Sequence, residues 1–255
     1  MSRNCRSSFA IATVIGLTLG YAVQSQAALI PQLRFSFSLN GGPVTTIVDG
    51  GVGDTDGVVN GIIELGTITP IPGFTVFGSV TASNGTASDS GLIGGFNILD
   101  SGSTTVRNDT GAPVHVQAAF SAFGFTPAAL SAFTSGSGTF VNSSGSSITL
   151  KYYDDPANAW GASNPLDTPG NLIDTFNYTA SGLLSSLSHN GGPFSVSDPA
   201  PFSMTETFDF TLPSGGRLVS RGQGESKPIP EPASLFLLGV GLAGMGLLRR
   251  FRKFA

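Results

Sequence analysis

Acidic side chains on glycine-rich backbone are the first residues in this chain whose types and spacing could do chemistry. The segment Asp49-Gly50-Gly51-Val52-Gly53-Asp54-Thr55-Asp56-Gly57 carries three carboxylates on a bent backbone. Such carboxylates can converge on Ca²⁺, which takes about six to eight oxygen ligands. The EF-hand spacing is not met. With Gly57 at the loop glycine, Val52 falls at the first ligand position and Ile63 at the last. Two readings stay open: a Ca²⁺ site on Asp49, Asp54 and Asp56, or a polar Asp-Gly loop between strands.

Aromatic residues beside acids come next. In Tyr152-Tyr153-Asp154-Asp155 and at Trp160, a ring with a polar handle could stack on a sugar. Tyr153 and Trp160 are therefore candidate carbohydrate contacts, against core or rim packing at a strand end. Trp160 is the only tryptophan. The two histidines, His115 and His189, read as surface residues. A hydrolytic triad needs a serine activated by an oriented histidine. No Gly-x-Ser-x-Gly elbow and no His-x-x-x-His pair occurs. Two carboxylates of the glycosidase kind are brought together by folding, and no pair stands out in the sequence. No catalytic residue is assigned, the chain reads as a non-enzyme, and Ca²⁺ is the one cofactor considered.

Strands must position these groups. In Leu33–Leu39 the apolar set Leu33, Phe35, Phe37 and Leu39 alternates with Arg34, Ser36 and Ser38. A strand sends the two sets to opposite faces. Phe202–Leu212 repeats the pattern, with Phe202, Met204, Phe208, Phe210 and Leu212 on one face. Glu206 falls on that apolar face and is expected at an edge or rim. Val114–Phe120 and Ile148–Tyr152 give further strands; Phe74–Ala82 and Leu172–Thr179 are weaker ones. Asn-Gly, Gly-Pro and Ser-Gly clusters between them, including Asn190-Gly191-Gly192-Pro193, supply turns. Thr126–Phe133 could form one short helix, with Pro127 in its first turn. Asp154–Asn171 is the longest strand-poor stretch. Short strands with glycine-rich turns predict an all-β antiparallel sandwich, jelly-roll-like or Ig-like, over 28–214. Residues 215–229, rich in Gly, Ser and single charges, read as a flexible linker.

The two ends are of another kind. Arg3 and Arg6 precede the charge-free run Phe9–Val23, and Gln24-Ser25-Gln26-Ala27 closes it with small residues. This is a signal peptide, 1–27, with a helical apolar core and a cut after Ala27. At the other end Pro230-Glu231-Pro232 is followed by the uncharged run Ala233–Leu248 and by Arg249, Arg250, Phe251, Arg252 and Lys253. As a transmembrane helix, 233–248 would span roughly 24 Å, short against a hydrocarbon core of about 30 Å. The basic cluster should stay cytoplasmic.

That three-part order, over 230–255, resembles the PEP-CTERM sorting signal of Gram-negative bacteria. The resemblance implies export, transient retention at the inner membrane, and cutting near Pro230-Glu231-Pro232 by an exosortase, with signal peptidase acting at the front. It implies delivery to the cell surface or to an exopolysaccharide matrix. Asp49–Ile63 is also similar to a stretch in uncharacterised PEP-CTERM proteins, which implies no activity.

Processing changes the charge. The chain has 12 Lys+Arg and 16 Asp+Glu. Loss of both ends removes half of the bases and one acid, and leaves a net charge of about −9. No basic cluster remains for nucleic acid. Cys5, the only cysteine, leaves too, so no disulfide holds the core. The leading functional reading is a structural protein of the cell surface or exopolysaccharide matrix. The alternative is a Ca²⁺-assisted carbohydrate-binding module, and a glycan-processing enzyme ranks below both.

Overall fold

The computed structural model describes residues 30–84, 96–126 and 128–228. The expected signal helix 1–27, the transmembrane helix 233–248 and the sorting residues Pro230, Glu231 and Pro232 lie outside the described residues. Among those described there is no helix, and none long and apolar enough to cross a membrane.

Among the described residues thirteen strands form two antiparallel sheets. In chain order they are β1 (Gln32–Leu39), β2 (Val44–Val48), β3 (Ile62–Ile71), β4 (Phe74–Ser83), β5 (Asn97–Asp100), β6 (Thr104–Asn108), β7 (Val114–Phe125), β8 (Ala129–Val141), β9 (Ser147–Asp155), β10 (Asn171–Thr179), β11 (Leu184–Asp198), β12 (Phe202–Leu212) and β13 (Gly216–Pro228). The six-stranded sheet has the order β10-β9-β12-β7-β1-β2. The seven-stranded sheet runs β11-β8-β13, then β5 and β6 end to end, then β4-β3.

Period-2 patterning fixes which faces meet. Leu33, Phe35 and Phe37 of β1 and Phe202, Met204, Phe208, Phe210 and Leu212 of β12 are all buried in one core with Phe74, Phe125 and Phe140. The expected faces of β1 and β12 are those observed. Phe35 stacks on Phe120 at 4.9 Å, and Phe120 meets Phe208 edge-on at 5.3 Å. Aromatic contacts of this kind add to the area they bury.

Four expectations are corrected. Glu206 does not lie at a rim. It is 1% exposed, in the middle of the sandwich, facing Gly222 of β13 across the core. Burial pushes its carboxyl well above the ordinary range, so it is held neutral. The expected linker is β13, a central strand paired on both sides. Its inward residues are Leu218, Ser220, Gly222, Gly224 and Ser226. All but Leu218 are small, because β13 lies under large side chains of the opposite sheet: a Cβ on Gly222 would overlap the Glu206 carboxyl and come within 2.8 Å of the Phe208 ring. The sandwich therefore extends past 214 to Pro228.

The expected helix at 126–133 is also absent: Ala129–Phe133 begins β8. Helix propensity at Ala and Leu is a weak prior, and β11 and β13 take up the backbone groups of this segment on either side. Finally, Asn190–Pro193 is not a turn between strands. β11 continues through it, with a register shift between Gly191 and Phe194.

Candidate functional site

Residues 156–170 connect β9 to β10 and fold back over the outer face of the six-stranded sheet. The Asp155 carboxylate starts the loop by accepting the amides of Ala157 and Ala159 at 3.0 and 2.8 Å. Asp167 closes it by accepting the Ser163 amide at 3.0 Å and its hydroxyl at 2.6 Å. Polar outward groups of four strands then hold it down. Arg34 of β1 donates to the Gly161 carbonyl at 3.2 Å, and Thr46 of β2 to that of Ser163 at 3.3 Å. Ser203 of β12 donates to Ala159, and the Gly161 amide donates to Ser121 of β7. Gly161 is needed for close approach, since a Cβ there would sit 2.8 Å from the Thr205 hydroxyl and 2.6 Å from Pro169.

Beside the loop, the uncovered part of the same sheet face is a groove of about 320 Å³. Its floor comes from alternate, outward residues of three adjacent strands: Gln117 of β7, Thr207 and Asp209 of β12, and Thr149 and Lys151 of β9. Tyr153 and the loop residues Pro165, Leu166 and Thr168 form its sides. The strand register sets the spacing. Asp209 lies opposite both Gln117 and Thr149, and Thr207 lies opposite Lys151. Asp209 accepts from Gln117 Nε2 at 3.1 Å and lies 2.8 Å from His115 Nε2, which fixes the Gln117 amide in place. Thr149 donates to Asn177 at 2.8 Å. Among the described residues Lys151 forms no ion pair, so its ammonium is available to a ligand.

The two candidate carbohydrate contacts are separated. Tyr153 lines the groove; Trp160 does not. The Arg34 guanidinium lies 3.8 Å over the Trp160 ring, which also packs on Phe123 at 4.8 Å. A ring so occupied anchors the loop and offers no open face to a sugar. Missing from the sequence reading are Gln117, Lys151 and Asp209 as one constellation. Their shared outward phase on β7, β9 and β12 was the only available signal.

The acidic loop between β2 and β3 is built on its carboxylates. Asp49 accepts the amides of Asn60 and Gly61 at 3.2 and 2.8 Å. Asp54 accepts those of Glu64 and Gly50 at 3.0 and 2.8 Å. Asp56 accepts from the Val58 amide and from Asn60 Nδ2 at 3.0 and 2.7 Å. Burial raises the Asp49 carboxyl, and the bonds from Gly61 and Asn60 work against that rise. Each carboxylate is thus turned to its own loop. Among the described residues, no three His, Cys, Asp or Glu side chains form a group fit to hold a metal.

The histidines differ from one another. His115 is on the outer face, as expected. His189 is not a surface turn residue: it lies in β11, 2.6 Å from Asp174 of β10, with its ring stacked on Phe176 at 4.6 Å. Burial alone would raise the Asp174 carboxyl, but bonds from Thr134 and His189 outweigh it and the net shift is downward. This pair ties one edge of the six-stranded sheet to an edge of the other.

Solved structures similar to this chain include TmCBM61 in complex with β-1,4-galactotriose, at 12% identity over 61% of this chain and 88% of that one, with a TM-score of 0.32. The C-terminal family 22 carbohydrate-binding module of Clostridium thermocellum Xyn10B is 15% identical over 64% and 91%, with a TM-score of 0.26. The adhesin domain of Epf from Streptococcus pyogenes is 12% identical over 76% and 58%, with a TM-score of 0.34. At such TM-scores these likenesses carry no argument about what the chain binds. Curated proteins provide no match. Residues 228–253 match the PEP-CTERM protein-sorting motif. The chain therefore carries, behind its β-sandwich, the sorting signal of an exported protein processed by an exosortase.

Proposed function

We propose that the mature domain is a component of the cell surface or exopolysaccharide matrix that holds a polysaccharide strand in the groove beside the 156–170 loop. The observation that carries this reading is the groove's floor: five polar side chains in strand register, next to the Tyr153 ring and under a loop pinned at several points. Sugars present hydroxyls along their edges and C–H groups on their faces. The hydroxyls suit Gln117, Thr149, Lys151, Thr207 and Asp209; the faces suit Tyr153 and Leu166. Preorganised donors and acceptors lose little entropy on binding.

Binding is favoured over cleavage. Glycoside hydrolysis in most families uses two carboxyl groups flanking the scissile bond. Among the residues lining this groove, Asp209 is the one carboxylate.

Affinity electrophoresis of the exported protein in gels cast with purified polysaccharides tests the reading. We expect retardation by at least one of them, and about tenfold weaker retardation for Lys151→Ala and for Tyr153→Ala. Equal mobility of the wild type in every gel, including one made with the producing cell's own polysaccharide, would leave the passive structural role as the better account.

A further inference from the structure

A second cleft, of about 680 Å³, opens where the two sheets meet along β10 and β11. Two acids line it from opposite sheets. Asp154 is the last but one residue of β9 in the six-stranded sheet; Asp198 ends β11 of the seven-stranded one. They are 4% and 3% exposed. Asp154 Oδ1 and both carboxyl oxygens of Asp198 have no hydrogen-bond donor among the described residues. Among the described residues no lysine, arginine or histidine pairs with either acid there. The adjacent Asp155 is already spent on the amides of Ala157 and Ala159.

This is an unusual way to bury acids. A buried carboxylate is paired, neutralised or bound to a metal. The two acids line the same cleft, and burial with the neighbouring Asp154 pushes Asp198 up to about 8. Two acceptors facing each other need a positive centre between them, a proton or a cation.

We propose that Asp154 and Asp198 bind a divalent cation, Ca²⁺ by its chemistry, that clips the two sheets together at this cleft. The ligand atoms are hard oxygens, and no cysteine or histidine lines the cleft, which argues against Zn²⁺ or copper. Asn171, Ser195 and Ser197 line the same space and can add neutral oxygens together with backbone carbonyls and water. Ca²⁺ accepts such a mixed, irregular set, whereas Mg²⁺ demands near-octahedral geometry. An extracellular destination supplies Ca²⁺ at millimolar levels, within reach of a two-carboxylate site.

The test uses the exported protein, stripped with EDTA and then titrated with Ca²⁺ or Mg²⁺. A ligand that binds the folded state alone raises the melting temperature by mass action. At tenfold over Kd the expected rise with Ca²⁺ is about 3–6 °C for a domain of this size, with a smaller rise for Mg²⁺. Asp198→Asn should abolish it. The amide keeps the side chain's shape and can donate to Asp154, so this variant folds; Asp154→Asn serves as the reciprocal control. Asp54→Asn and the groove variant Lys151→Ala should keep the full rise. Identical melting of the wild type in EDTA and in Ca²⁺ would overturn the proposal and leave a shared proton in the pair. A rise that survives both Asp198→Asn and Asp154→Asn, or one lost in Asp54→Asn, would overturn it by placing the ion elsewhere. Because the groove is not involved, loss of polysaccharide binding and loss of the Ca²⁺ response are separate outcomes.

Discussion

The β2–β3 loop and the β9/β11 junction use acids in opposite ways. In the loop, Asp49, Asp54 and Asp56 each accept two N–H donors from nearby backbone or Asn60. The acids there are structural staples, filled by the chain itself. At the junction, Asp154 and Asp198 are more deeply buried and leave three oxygens without a donor. A dense run of acids is thus the poorer cation site here, and two acids 44 positions apart in sequence are the better one. What separates them is the supply of backbone N–H groups. A glycine-rich loop turns its own amides toward its carboxylates; two strand ends in antiparallel sheets have already given theirs to the ladders.

This contrast can be broken or sharpened by substitution. The largest effect belongs to the core that carries both regions. Phe210→Ala should cost about 3–5 kcal/mol, against a total of about 5–15 kcal/mol for many domains. Thr211→Ala, the next residue and on the outer face, should cost under about 0.5 kcal/mol. Denaturant midpoints measure both, and similar midpoints would mean that the β12 register is wrong.

Next comes the staple. Asp49→Ala strips two amides of their acceptor, one of them on the buried Gly61, and should cost about 2–4 kcal/mol. The loss should be the same in EDTA and in Ca²⁺. A calcium-dependent loss would turn the loop back into a cation site.

Asp198→Asn should show the opposite sign. In EDTA it removes an acid that must keep a proton or face its neighbour charged, so the variant should equal or exceed wild type by about 1 kcal/mol. In Ca²⁺ the order should reverse. Calorimetric melting in the two buffers decides it, and a large loss in EDTA would show that the pair is stabilising without any cation.

The last contrast is read as a slope against pH and belongs to Glu206, a third buried acid with neither staple nor cleft. It faces Tyr152 of β9, Gly222 of β13 and the charge of Asp100 of β5, itself paired with Arg221. Its folded pKa is raised above the ordinary carboxylate value. The folded state therefore keeps a proton that the unfolded chain loses above about pH 4.3. Stability from this group is full below that pH and falls as pH climbs toward the folded value. Glu206→Gln does not titrate, so it should gain on the wild type as pH rises from 5 to 9. Parallel pH profiles for the two proteins would refute a neutral Glu206.

Much of the architecture was legible in advance. Alternation in Leu33–Leu39 and Phe202–Leu212 revealed both strands and their inward faces, because each strand has one wet and one dry side. Asp154–Asn171 was legible as an excursion, though not as the cover of a sheet face. Tyr153 stood out in the sequence as an aromatic beside acids, but the residues that line the groove with it, Gln117, Lys151 and Asp209, come from three strands and meet only through register. Trp160 looked like a platform until Arg34, 126 positions away, was found on its face.

The sequence by itself determined what is linear or periodic. The sorting motif is read as an unbroken string, so Pro230-Glu231-Pro232, the apolar run and the basic tail needed no fold to be recognised. The faces of β1, β7 and β12 follow from a period of two residues, which the pleat of a single strand imposes. Tertiary structure alone decided what depends on the residue across the core. β13 carries glycine and serine inward because Glu206 and Phe208 fill the space above it, and a strand whose inner face is small gives no hydrophobic alternation. Asp154 and Asp198 became a pair only when two sheets closed on each other, since no local pattern records which strand ends will meet.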